Sequence, residues 1–238
     1  MEKFYRIAGL TVQMNPLPRT AKQAEIYEVF SPEKIDCVLE EKWKEFRNLY
    51  PSMSDDDIEY LYSGAVFYKH LMDYNGMMLH SSAVVVDNRA YLFTADCGTG
   101  KSTHTALWLK LFGDRAYILN DDKPALRLED GIWYAYGTPW SGKSDLSVNA
   151  RVPLAGIAVL ERSVENSIEH FGGIGAISSI LAQLNKVRSR EYREKQMDLL
   201  GKLLEAVPVW KLKCNMDISA ARLSYEAMSK AYEEEKEC

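Results

Sequence analysis

What this 238-residue chain lacks narrows its role before any motif is considered. No apolar run approaches the roughly 18–20 residues needed to cross a bilayer, so no membrane partner is expected. A basic excess is missing too: 29 Lys and Arg stand against 34 Asp and Glu, for a net charge of −5. Proteins that bind nucleic acid generally carry such an excess or a basic face, so nucleic acid is not an expected partner. Cysteine is sparse. Cys37, Cys97, Cys214 and Cys238 show no paired spacing, which fits free thiols in a reducing cytoplasm. The opening "MEKFYRIAGL" has an early acid and a short apolar patch, so it does not read as a secretory signal. No repeat and no low-complexity linker is found. What remains is an ordinary globular composition, 47% hydrophobic and 26% charged, with length for one large domain or two small ones.

Residues 4–40 read as short strands and turns, with "NPLPRT" as a turn and "AEIYEVF" alternating. Residues 39–50 have helical spacing through Trp43, Phe46 and Leu49. A helix is expected over "SDDDIEYLYSGAVFYKHL", with Ser54 as N-cap. Asp55, Asp56 and Asp57 then sit in the first turn, where the helix dipole favours negative charge; the other reading is a metal cluster. From residue 78 the texture changes. "MLHSSAVVVDNRAYLFTA" predicts a hairpin turning at Asp87-Asn88, and "PALRLEDGIWYAYG" another at Asp130-Gly131. Strands are expected at "AYIL", "LAGIAVLER" and "VPVWKLKCN". Helices are expected at "STHTALWLKLF", "GAISSILAQL", "EYREKQMDLLGKLLEAV" and "DISAARLSYEAMSKAYEEE", the last capped by Asp217, with the acidic end "YEEEKEC" a solvated helix end. The pattern is mixed α/β: a small strand/helix subdomain over 1–77 and a larger domain over 78–238.

"FTADCGTGKSTHT" lies between an apolar strand and an amphipathic helix. A polyphosphate packs several negative charges into a small volume, and backbone N–H groups at a helix start can hold it. Gly98 and Gly100 allow the close approach and positive φ that such a turn needs. Lys101 can reach the β- and γ-phosphates, and the Ser102 hydroxyl can enter a Mg²⁺ shell. Asp96, Cys97, Thr99 and Thr103 complete the candidate nucleotide-binding stretch. The general pattern asks for glycine at 95, where this chain has Ala95. The methyl costs little at negative φ and roughly 1–2 kcal/mol at positive φ. The bland alternative is a glycine-rich turn without a ligand.

Asp121 and Asp122 follow the strand "AYILN" and can serve as general base and metal ligand, or simply as a turn before Pro124. His80, just before the strand that enters the loop, can be acid, base, ligand or structural. Lys143, in "GTPWSGKS" beside Trp140, reaches a phosphate or stacks a base in one reading, and sits on a surface turn in the other. His104 faces either an acceptor or the core, and Ser82 and Arg127 are weaker candidates. The basic stretch "KVRSREYREK" is a solvated helix start, or else attracts an acidic substrate. "NKVR" lacks the aspartate of the guanine-reading pattern, which ranks a GTP-binding switch last.

"LHSSAVVVDNRAYLFTADCGTGKST" followed by "ILNDDKPALR" resembles the catalytic core of HPr kinase/phosphorylase, whose P-loop fold is shared with phosphoenolpyruvate carboxykinases. The resemblance covers residues 78–127 and is diffuse elsewhere. It implies a mixed-sheet core and an ATP- and Mg²⁺-dependent kinase with a hydroxyl acceptor: serine of a peptide or protein, or a small molecule. It also implies Asp121 as base toward the acceptor, Asp122 with Ser102 on the metal, His80 and Lys101 at the transferred phosphoryl group, and a homo-oligomer, since HPr kinases form rings. The two aspartates could exchange roles. The later glycine-rich signature of HPr kinases has no counterpart here, so the chain looks more like the shorter HPr-kinase-related proteins. The alternative function is a nucleotide-binding regulatory or peptide-binding module with little turnover, or a simple NTPase.

Overall fold

The computed structural model describes residues 2–237, and side chains over residues 2–230. The reading of "YEEEKEC" as a solvated end therefore concerns side chains outside the described ones. In chain order the elements are β1 (Phe4–Ile7), β2 (Leu10–Gln13), α1 (Pro18–Ala24), β3 (Glu28–Val29), β4 (Cys37–Val38), α2 (Asp55–Leu71), β5 (Gly76–Met78), β6 (Ser81–Val86), β7 (Arg89–Thr94) and α3 (Lys101–Phe112). They continue with β8 (Ala116–Asn120), β9 (Ala125–Glu129), β10 (Ile132–Tyr136), β11 (Arg151–Arg162), β12 (Ser167–His170), α4 (Gly173–Leu181), α5 (Arg190–Ala206), β13 (Val209–Cys214) and α6 (Ile218–Glu237).

Among the described residues the strands form two sheets. A small one has the order β3-β1-β2-β4. The large mixed one runs β5-β9-β10-β11-β7-β6-β8, with β13 pairing β11 and β12 pairing β13. At its centre β7, β11 and β13 are parallel, so the loop after β7 emerges among the C-terminal ends of three aligned strands. Side chains alternate across a sheet, and the burial follows. Ala83, Val85, Ala90 and Leu92 face α4 and α5, whereas Val84, Val86, Tyr91 and Phe93 face α3 and α6. Both faces of the hairpin are covered, which is why "AVVV" is a continuous apolar run rather than an alternating one.

Both predicted hairpins form. Asp87 and Asn88 take φ of 49° and 60°, and Asp130 and Gly131 take 50° and 80°, the backbone of tight primed turns. Ser54 caps α2, its hydroxyl accepting from the Asp57 amide at 3.1 Å. The three aspartates serve that helix start. Asp56 accepts from the Arg19 amide, Asp57 pairs with the Arg19 guanidinium, and Asp55 pairs with Arg47 at 2.8 Å. Asp217 caps α6 through the Ser219 amide at 2.9 Å.

Two expectations near the N-terminus fail. "NPLPRT" is not a turn: Pro18 opens α1, a position where its missing N–H costs nothing, and Thr20 and Ala24 bury one face. "AEIYEVF" is not one alternating strand but the end of α1, a single 3₁₀ turn over 25–27 and the two-residue β3. The helical segment at 39–50 is a 3₁₀ helix over Lys42–Leu49, ended where Pro51 disfavours helical geometry at Tyr50. No helix among the described residues is long and apolar enough to cross a membrane.

Candidate functional site

The loop over 95–100 joins buried strand β7 to α3. Gly98 has φ 78° and Gly100 φ 120°. A Cβ at either would meet nothing within 4 Å, so conformation rather than space reserves these positions for glycine. Ala95 is not among the positive-φ residues, and its methyl is buried with Phe93 and Trp108. The missing first glycine therefore imposes no left-handed strain. The first amides of α3, at Lys101, Ser102 and Thr103, have no carbonyl partner within the helix.

Lys101 is folded back over the loop, its Nζ donating to the Ala95 carbonyl at 2.9 Å and the Asp96 carbonyl at 3.4 Å. Burial lowers its pKa, and the charges of Asp122, Asp121 and Asp96 partly offset that effect. The Arg162 guanidinium, at the end of β11, braces the loop from outside by donating to the carbonyls of Thr99 and Gly98. Cys97 is an exposed free thiol. Ser102 is exposed in the first turn of α3. Beside the loop lies a cavity of about 410 Å³, lined by Thr99 and Thr103 and by Leu107, Leu160 and Met216 among others.

The acids are aimed by their neighbours. Asn120 is fully buried, and its Oδ1 accepts from the amides of Asp122 at 3.0 Å and Lys123 at 2.7 Å. This Asx turn bends the chain sharply after β8. Asp121 Oδ1 accepts from Ser82 Oγ at 2.6 Å. Ser82 is hydrogen-bonded in turn to Thr105 on α3 at 2.8 Å, and Thr105 reaches the Ser102 carbonyl. Asp122 meets His80 Nε2 at 3.4 Å and Lys123 Nζ at 2.6 Å. Burial pushes the Asp122 pKa up, but the His80 and Lys123 interactions outweigh it and hold the carboxyl below its ordinary value. His80 Nδ1 is hydrogen-bonded to Gln183 Oε1 at 3.0 Å, and Gln183 Nε2 donates to Asp96 Oδ1 at 3.0 Å. A chain of contacts thus runs Lys123–Asp122–His80–Gln183–Asp96 and returns to the glycine loop.

Several candidates lie elsewhere. His104 points into the core between α3 and α6, with Nε2 3.0 Å from Ser224 Oγ. Trp140 is fully buried against Phe67, with ring centroids 4.9 Å apart, so it is not placed to stack a base. Arg127 is structural: it donates to the Ala8 and Tyr74 carbonyls and pairs with Glu129. Lys143 is exposed, but its neighbour Gly142 (φ 75°) packs on Asp122, where a Cβ would lie 2.9 Å from the Asp122 Cβ. Gln183, Thr105, Lys123 and Arg162 were not singled out from the sequence. Lys123 stood inside "NDDK"; the others carry no local signal.

No protein-family model matches the chain, and no curated protein sequence matches it. Among solved structures it is similar to the Hpr(Ser) kinase/phosphatase from Coxiella burnetii, at 13% sequence identity and a TM-score of 0.38, over 65% of this chain and 97% of that one.

Proposed function

We propose that the protein is an ATP- and Mg²⁺-dependent kinase that transfers a phosphoryl group to a hydroxyl, in the manner of HPr-kinase-related proteins. The acceptor is serine in a peptide or protein. The observation that carries this reading is the convergence of the glycine loop and Lys101 with two carboxylates on a neighbouring strand end, tied together through Gln183 and Ser82. In this proposal residues 1–77 form a subdomain walling the acceptor side, residues 78–238 form the transfer domain, and the protein works in the cytoplasm.

The loop amides and Lys101 hold the β- and γ-phosphates of ATP, and the nucleoside takes the cavity lined by Leu107 and Leu160. The acceptor oxygen attacks the γ-phosphorus while Asp121 accepts the hydroxyl proton and ADP leaves. Asp121 Oδ1 is held by Ser82, and Oδ2 takes no hydrogen bond among the described residues, which leaves it open to an acceptor hydroxyl. Lys101, by donating to the transferring oxygens, offsets charge that builds up in the transition state. His80 orients Asp122, 3.4 Å away, and in this reading assists at the phosphoryl group.

The donors suit Mg²⁺: a hydroxyl at Ser102 and a carboxylate at Asp122 kept ionised are hard oxygen ligands. Among the described residues no group of three or more His, Cys, Asp or Glu could hold a metal ion by itself. The ion would therefore be shared with the nucleotide, where it neutralises phosphate charge.

Incubation with γ-labelled ATP and a panel of serine peptides tests the reading. Transfer should fall by orders of magnitude in Lys101→Ala, which removes the charge at the phosphates, and in Asp121→Asn, which removes the base. Full transfer in Asp121→Asn would refute the assigned base. Unchanged transfer in Lys101→Ala would mean that the site lies elsewhere.

A further inference from the structure

α2 is apolar on more of its surface than the core uses. Tyr60, Gly64, Phe67, Tyr68 and Leu71 pack inward, on the N-terminal sheet and Trp140. A second stripe at helical spacing, Ile58, Leu61, Tyr62, Ala65 and Val66, lines an open groove of about 630 Å³. Phe46 and Tyr50 form its other wall, and Phe46 lies against Tyr62 with ring centroids 5.4 Å apart. Leu61 and Tyr50 are about half exposed, at 49% and 50%.

The rim of this groove is cationic, carrying Lys69, Lys186 and Arg188. None of the three has a carboxylate partner among the described residues, although the chain is acidic overall, at −5. Nearby carboxylates are committed to other cations, Asp55 to Arg47 and Asp73 to Lys195. Lys69 lies over the Tyr192 ring, 4.7 Å from its centroid, so its charge is not neutralised. An apolar floor edged by cations without carboxylate partners complements a ligand with apolar anchors and negative charge.

Two of the segments that line the groove, α2 and the stretch after α4, also reach the candidate site. Lys186 and Arg188 follow closely on Gln183, which bonds to Asp96 and His80. On the opposite side of α2, the Tyr60 hydroxyl accepts from the Gly142 amide at 2.9 Å, and Gly142 packs on Asp122.

We propose that this groove docks an acidic peptide segment of the phosphate acceptor. Apolar side chains of the segment sit on Leu61, Phe46 and Tyr50, and its carboxylates pair with Lys69, Lys186 and Arg188. The inference rests on the kinase reading for what the docked segment is, but the binding itself needs no transfer.

The test uses the full-length protein and fluorescein-labelled pools of short synthetic peptides, read by anisotropy. One pool is built from Glu, Leu, Phe and Ser, a second replaces Glu by Lys, and a third keeps Glu but replaces Leu and Phe by Gly. The first pool should bind, and the other two should not. The exposed double substitution Lys186→Glu/Arg188→Glu should weaken the first pool by about tenfold or more and improve the Lys pool. Leu61→Asp should abolish binding, and Lys101→Ala should leave it intact. Equal binding of all pools, or indifference to the charge reversal, would overturn the proposal. So would self-association of the wild type that disappears in Leu61→Asp, since the stripe would then belong to a second copy. Calorimetry with ATP on the same proteins separates the two readings. If ATP fails to bind while the acidic pool does, the kinase reading falls and the groove stands; ATP binding without peptide binding sinks the groove alone.

Discussion

Protonating His104 should loosen the helix that carries the glycine loop. The ring is 2% exposed, lying between α3 and α6 with its centroid 4.5 Å from that of Phe93. Trp108 Nε1 donates to His104 Nε2 at 3.3 Å and to Ser224 Oγ at 3.0 Å. With Nε2 accepting, the neutral ring carries its proton on Nδ1, which is buried without a partner. Among the described residues nothing around the ring stabilises a second proton, and burial lowers its pKa from 6.5 to about 4. A folded pKa below the unfolded one adds stability above pH 6.5, and that contribution drains away as the pH falls toward about 4. At about 1.4 kcal/mol per pH unit, the loss is about 2 kcal/mol near pH 5 and about 3 kcal/mol near pH 4. Against a typical net stability of about 5–15 kcal/mol this is a large share.

His104→Gln isolates the effect. Gln keeps an oxygen for the Trp108 N–H and does not titrate. Its packing loss is the same at every pH and cancels in the difference between pH values. The buried acid Glu59, whose carboxyl is held up chiefly by burial, shifts stability in the opposite sense. It is common to both proteins and cancels as well. Urea denaturation of the two proteins between about pH 7.5 and about pH 4.5 should show the wild type losing about 2 kcal/mol more than the variant by about pH 5. Parallel stability curves would show that the ring is not buried neutral and that α3 does not pack on α6 as described.

His104 also shows where a sequence stops being informative. It sits three positions after Lys101, and spacing alone cannot say which side of the helix meets the acids. Thr105 is the residue turned toward Ser82 and Asp121, and only the packing of α6, distant in sequence, settles that. Local structure was legible: the two hairpin turns, the Ser54 and Asp217 caps and the positive φ of Gly98 and Gly100 each depend on near neighbours. Gln183 was not legible, because the link from His80 spans 103 positions and is made only when α4 folds across the sheet. Trp140 misled by context. It lies in a glycine- and proline-rich stretch that reads as surface, yet its ring fills the notch at Gly64 on α2, where a Cβ would approach it to 2.9 Å. β12 gave no signal, because an edge strand that is largely exposed has no buried face to produce alternation.

The remaining predictions concern the residues that aim the acids. Asn120→Ala leaves two part-buried amides without their acceptor and should cost about 1–3 kcal/mol in urea denaturation. A loss under about half a kcal/mol would mean that the turn after β8 holds without its side-chain acceptor. Gln183→Leu cuts the link between His80 and Asp96 and should slow transfer while leaving the melting temperature nearly unchanged; an unaltered rate would free His80 from any positioning role. Gly142→Ala distinguishes aim from fold most directly. At φ 75° an alanine is strained by about 1–2 kcal/mol, which sets the expected fall in stability. Its methyl would lie 2.9 Å from the Asp122 Cβ and 3.2 Å from Cγ, so the carboxylate must move by several tenths of an ångström. Catalytic groups misplaced by about 1 Å can lose about a hundredfold in rate, so a fall of about tenfold or more in transfer is expected, with ATP affinity in the absence of Mg²⁺, set at the loop, unchanged. Stability lost without any change in transfer would show that the position of Asp122 does not matter to the chemistry. That outcome would leave Asp121 as the acid the reaction depends on.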